Sequence, residues 1–136
     1  MNILRNYIIL LFLALGIQQT YSQSYRFRTS GFSVLEKNDK GKWGEWSNLD
    51  LVNLSVILDT EKHRIVVYSQ EIQLFNIIEY IEREENDTDI VYSFVCKNNS
   101  GIDCKISIIT RKKQDYRKQL YINYDKQIIV YNIFNV

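Results

Sequence analysis

Residues 90–111, IVYSFVCKNNSGIDCKISIITR, decide how this chain folds. Ile90–Lys97 and Asp103–Arg111 are rich in β-branched and aromatic residues, and Asn98-Asn99-Ser100-Gly101 between them is turn chemistry. Centring the hairpin on Ser100 sets Cys96 opposite Cys104, Phe94 opposite Ile106 and Tyr92 opposite Ile108. Side chains alternate along a strand, so all six fall on one face and form an apolar ladder. Cross-strand Cβ atoms lie about 4.5–5.5 Å apart. In an exported chain that spacing predicts a disulfide between Cys96 and Cys104, closed by local twist.

The same alternation extends in both directions. Val52, Leu54, Val56 and Leu58 share one face of the segment 51–59, opposite Asn53, Ser55 and Asp59. Asp59-Thr60-Glu61-Lys62 turns the chain into a strand from Arg64 to Tyr68, and Tyr25–Lys37 forms the first strand, ending at the turn Asn38-Asp39-Lys40-Gly41. Downstream, Lys112-Lys113-Gln114-Asp115 leads to Arg117–Tyr124, and Asp125-Lys126 leads to Gln127–Phe134. Ile72–Arg83 reads two ways. Gln73, Asn76, Glu79 and Glu82 recur every three residues, as on a helix edge, but its Ile and Phe content and its neighbours favour a strand.

About eight strands joined by short polar loops predict an all-β antiparallel meander. Such a sheet hides its apolar face and its edges by closing on itself or by folding over. The preferred expectation is a small barrel, lipocalin- or avidin-like in shape, with a two-sheet sandwich as the alternative.

The chain of 136 residues begins differently. Arg5 precedes an unbroken apolar run of 11 residues, Tyr7–Ile17, and Thr20 and Ser22 supply small side chains for a peptidase. A membrane-spanning helix needs about 20 residues. Residues 1–22 are therefore expected to be a cleaved signal peptide, leaving residues 23–136 as one exported β-rich domain with no transmembrane segment. Without Arg5 the basic and acidic residues balance at 16 each, which does not suit a nucleic-acid binder.

Few residues suggest chemistry. His63 is the only histidine and lies between Lys62 and Arg64 at a strand start, so a His-dependent triad or a His-rich zinc site has little to draw on. The acidic stretch Glu82, Glu84, Glu85, Asp87, Asp89 lacks the spacing of a calcium loop. The basic group Arg111, Lys112, Lys113, Arg117, Lys118 is interrupted by Asp115 and reads as a charged hairpin loop. No catalytic residue, metal site or cofactor is assigned. Trp43 and Trp46, in GKWGEWSN, are the ligand-binding candidates, as two indoles offering a stacking platform or as covers for the end of the core.

Gly-x-Trp resembles the opening motif of lipocalins, but here it follows the first strand, and the last strand lacks the arginine that packs over that tryptophan. A broader pattern combines Trp43-x-x-Trp46, RIVVYS at 64–69, a hairpin ending in Cys104, and QLYINYDKQIIVYNIF at 119–134. It resembles short exported proteins of Bacteroidota with no assigned function. That resemblance implies a periplasmic or extracellular address in a double-membraned bacterium and transfers no catalytic residues. The expected function is an exported, non-enzymatic β-module binding a small ligand or a protein partner. The alternatives are a structural or interaction protein of the envelope, an enzyme inhibitor, and a small acid-dependent hydrolase.

Overall fold

In a computed structural model that describes residues 23–136, nine antiparallel strands follow one another with no helix among the described residues. They are β1 (Ser24–Glu36), β2 (Asp50–Leu51), β3 (Ser55–Asp59), β4 (Arg64–Val67), β5 (Gln73–Glu85), β6 (Asp89–Asn98), β7 (Asp103–Arg111), β8 (Arg117–Asn123) and β9 (Gln127–Asn135). The expected signal peptide, residues 1–22, lies outside the described residues.

The sheet closes. β1 pairs with β3 through Ser24–Arg28 and with β9 through Phe27–Glu36, so eight strands form a ring and the short β2 adds to β1 beside β3. The structure is thus the barrel and not the sandwich. Closure removes the open edges that a meander of this length would expose. The rungs climb around the ring: Tyr80 is level with Phe94, Ile106, Ile122, Ile129 and finally Val34, as tilted barrel strands require.

The β6–β7 hairpin has the expected register, with Cys96 opposite Cys104, Phe94 opposite Ile106 and Tyr92 opposite Ile108. Asn98 accepts bonds from the Ser100 and Ile102 amides through Oδ1, and Gly101 supplies the positive φ of 78° that closes the turn. The segment expected over Ile72–Arg83 is a strand, β5, which begins one residue later at Gln73 and runs on to Glu85. Its irregular pattern comes from bulges between Ile77 and Glu79 and between Ile81 and Glu84, each of which shifts the alternation. Phe75 and Ile77 are buried, Ile78 is exposed, and Tyr80 turns back toward the interior.

The strand expected over 51–59 is broken. Asp50–Leu51 pairs separately, and the ladder resumes at Ser55. Thr29 spans the gap: its hydroxyl donates to the Val52 carbonyl at 2.7 Å and accepts from the Leu54 amide at 2.9 Å, at a bulge in β1. Val52 and Leu54 still pack against the core, so the facing predicted from alternation holds without a continuous strand. Gly31 makes this possible, because a Cβ there would sit 3.0 Å from the Asp50 carbonyl oxygen.

The core is the barrel interior. Ile65, Val67, Phe75, Ile106, Leu120 and Ile122 are wholly enclosed, one or two from each of β4, β5, β7 and β8. The end that holds the β8–β9 turn is closed by polar bonds. Asn98 donates to the Tyr124 hydroxyl at 3.2 Å, and Gln73 donates to the Tyr131 hydroxyl at 3.3 Å.

The disulfide expected between Cys96 and Cys104 is absent. Both are free, buried thiols facing each other across the ladder, and Cys96 Sγ is turned along its own strand toward the Phe94 carbonyl at 3.7 Å. They serve as small apolar core residues. Burial, with each thiol's neighbour adding to it, pushes Cys96 up to about 12 and Cys104 to about 11, from an ordinary 9.0. Burial likewise raises Tyr124. The folded protein thus holds protons that the unfolded chain releases. Stability from these groups is complete below pH about 9 and is lost as pH rises through their folded values. The urea midpoint is expected to fall between pH 8 and pH 11; a constant midpoint would contradict the burial. At pH 8 the native protein is expected to take up no alkylating reagent and the urea-unfolded protein one equivalent per thiol; full labelling of the native protein would contradict the burial.

Candidate functional site

At the opposite end the barrel is open. A cavity of about 740 Å³ enters the interior where β1, β6 and β8 begin and β3, β7 and β9 end. Its floor is apolar: Phe27, Leu58, Phe94 and Ile108, all buried. Its rim carries four tyrosines, Tyr25, Tyr80, Tyr92 and Tyr116, each between 44 and 62% exposed. Deep apolar walls below a ring of hydroxyl-bearing aromatics suit an amphipathic occupant.

Three of the rim tyrosines are each placed by a separate local cause. Tyr92 follows from the inward alternation of β6, two residues before Phe94. Tyr80 is aimed inward by the β5 bulge. Its ring meets Phe94 edge-on at 5.7 Å, and its hydroxyl bonds His63 Nδ1 at 2.8 Å. Burial leads the causes that raise Tyr80 above its ordinary value, which keeps the hydroxyl protonated. Tyr116 sits in the β7–β8 turn, closed by the Arg117 amide donating to the Gln114 carbonyl at 3.1 Å. Asp115 and Tyr116 both have φ of 56°, a conformation strained for a side chain as bulky as tyrosine.

Two charged side chains belong to residues of the wall, Arg26 and Lys118. Lys118 shares its strand face with Leu120 and Ile122, which are wholly enclosed, so it stands on the inner wall at the mouth. Its ladder neighbours are Thr110 and Ile133. No aspartate or glutamate lines the cavity.

Trp43 and Trp46 lie elsewhere. Trp43 bridges to Lys37, whose amide bonds the Lys126 carbonyl, which puts the GKWGEWSN loop beside the β8–β9 turn at the closed end. The Lys37 ammonium stands 5.2 Å from the Trp43 ring centre, and both indoles are a little under half exposed. Neither lines the cavity.

The acidic and basic stretches meet each other. Lys112 bonds Glu85 at 2.8 Å and Arg111 bonds Asp89 at 3.1 Å, while Arg83 also pairs with Glu85. The bonds from Lys112 and Arg83 hold the Glu85 carboxyl below its ordinary value. Arg111 further donates to Gln119 and Tyr121, so the β5–β6 and β7–β8 loops are tied together beside the mouth. His63 is exposed and bonded to Tyr80. Among the described residues no group of three or more His, Cys, Asp or Glu side chains is placed to hold a metal ion.

Sequence reasoning missed the cavity because its walls come from seven strands. The usable signal was inward alternation near strand ends: Tyr92 beside Phe94, and Lys118 two residues before Leu120. No family model, curated protein or solved structure matches the chain.

Proposed function

We propose that this chain is an exported, non-enzymatic barrel that takes a small, largely apolar ligand through its open end. The observation that carries the reading is the tyrosine-rimmed cavity of about 740 Å³ over an apolar floor. Small-molecule sites typically enclose about 300–1,000 Å³ with mostly apolar walls and a few polar groups. The strained backbone at Tyr116 adds support, since strain persists where it places a side chain for use. Export rests on Arg5 and the apolar run Tyr7–Ile17, and the resemblance to short exported proteins of Bacteroidota points to the cell envelope. Binding there needs no cofactor: the barrel is the scaffold, and the rim orients what the floor desolvates.

The reading is tested with N-phenylnaphthylamine, an uncharged dye that fluoresces in apolar surroundings. One dye per chain is expected to bind, with enhanced and blue-shifted emission that disappears on unfolding. No enhancement at micromolar protein would overturn the proposal.

A further inference from the structure

We infer that the ligand carries an acidic group, seated at the mouth on the Lys118 ammonium with its apolar body directed down the barrel. This rests on the cavity being a ligand site and adds the ligand's charge and orientation.

Lys118 is half-buried on the inner wall, above Leu120 and Ile122 and between Thr110 and Ile133. Beside the mouth, Arg111 pairs with Asp89, and Lys112 and Arg83 both pair with Glu85, all on side chains outside the cavity lining. Among the described residues Lys118 makes neither a salt bridge nor a side-chain hydrogen bond. The other cation of the wall, Arg26, is likewise without a salt bridge.

A lysine on a barrel's inner wall loses part of its hydration and gains nothing in return unless an anion approaches it. The mouth is open, and the polar residues that share the lining with Lys118 include Thr110, Tyr116 and Asn135, which carry hydroxyls and an amide. These are neutral donors that add hydrogen bonds to an anionic head without competing with it for the ammonium. Below them the wall becomes apolar within two residues of the strand, at Ile108 and Leu120. The polarity gradient fixes the direction of entry: acid outward, apolar body inward. A carboxylate, sulfonate or phosphate on a hydrocarbon or aromatic frame satisfies both ends.

The test compares two dyes of one skeleton, anilinonaphthalene sulfonate and uncharged N-phenylnaphthylamine, titrated into the purified protein at low salt. The sulfonate is expected to bind about tenfold more tightly, the scale of one charge-assisted hydrogen bond. Lys118→Met, which keeps the stem and removes the charge, is expected to bring the ratio of the two affinities to about one, and that ratio, not the neutral dye's own affinity, is the readout. Lys118→Gln should do the same and covers the case in which the methionine variant misfolds. Lys105→Met, at an exposed position on the outer face of β7, is expected to leave both affinities as they were. Equal binding of the two dyes, or a sulfonate preference that survives both Lys118 substitutions, overturns the acidic head and leaves the cavity reading intact. Binding of neither dye overturns both.

Discussion

Thr110→Trp is expected to lower the affinity for N-phenylnaphthylamine by about tenfold or more, the largest functional effect available from a single substitution here. Thr110 is buried on the inner face near the end of β7 and lines the cavity beside Lys118. An indole at that position is expected to extend into the cavity that Thr110 lines and to occupy volume that a ligand needs. Because the space already exists, the substitution does not force packed side chains apart, which is the usual cost of enlarging a core residue. The unfolding free energy should therefore stay within about 1 kcal/mol of the parent value. Fluorescence titration of parent and variant checks the first statement, and urea unfolding checks the second. Unchanged dye affinity in a folded Thr110→Trp protein would mean that the dye binds somewhere else.

Phe75→Ala is expected to be the most damaging core substitution, costing about 3–5 kcal/mol. Phe75 is wholly enclosed on the inner face of β5, level with Ile65 on one side and Asn98 on the other, toward the closed end. Its removal leaves a void that a closed ring of hydrogen-bonded strands has little freedom to collapse around. Domains of this size are stable by about 5–15 kcal/mol, so the loss is a large share of the total. Thermal unfolding should shift down by about 10–20 °C. Phe75 does not line the cavity, so dye binding below the new transition should persist. The pair of variants thus separates the two ends: Thr110→Trp removes binding and spares stability, and Phe75→Ala does the reverse.

How far the sequence reveals this depends on the range of each interaction. The β6–β7 hairpin was legible to the residue, because a four-residue polar turn and strict alternation on both sides leave one register that buries Phe94, Cys96, Cys104 and Ile106 together. The order of the remaining strands was legible for the same reason. Closure was not written locally. The pairing of Phe27–Glu36 with Gln127–Asn135 joins the two ends of the described chain, and no turn records it. The need to hide two edges argued for closure as the preferred outcome, with a folded-over sheet as the alternative. The β5 pattern was ambiguous for a physical reason, since each bulge shifts the alternation by one residue, and two bulges in one strand mimic a longer period.

The candidate site was harder still. Trp43 and Trp46 stand out in a sequence because they are large, paired and next to glycine, yet their loop folds beside the β8–β9 turn. The rim tyrosines are scattered over more than ninety positions from Tyr25 to Tyr116, and only closure of the ring brings them together. The thiol pair shows the converse limit. Facing positions were correctly placed, but the direction of each sulfur within its own strand depends on side-chain rotation that alternation does not set.

The central claim is that the open end of the barrel interior, and not its outer surface or its tryptophan loop, receives the ligand. The most direct measurement is a set of intermolecular nuclear Overhauser contacts from bound N-phenylnaphthylamine to assigned methyl groups. Contacts to Leu58 and Ile108, with none to Ile102 or Ile129 at the closed end, are the expected result. Contacts confined to Ile102, Ile129 or the Trp43 loop, with Leu58 and Ile108 silent, would contradict it.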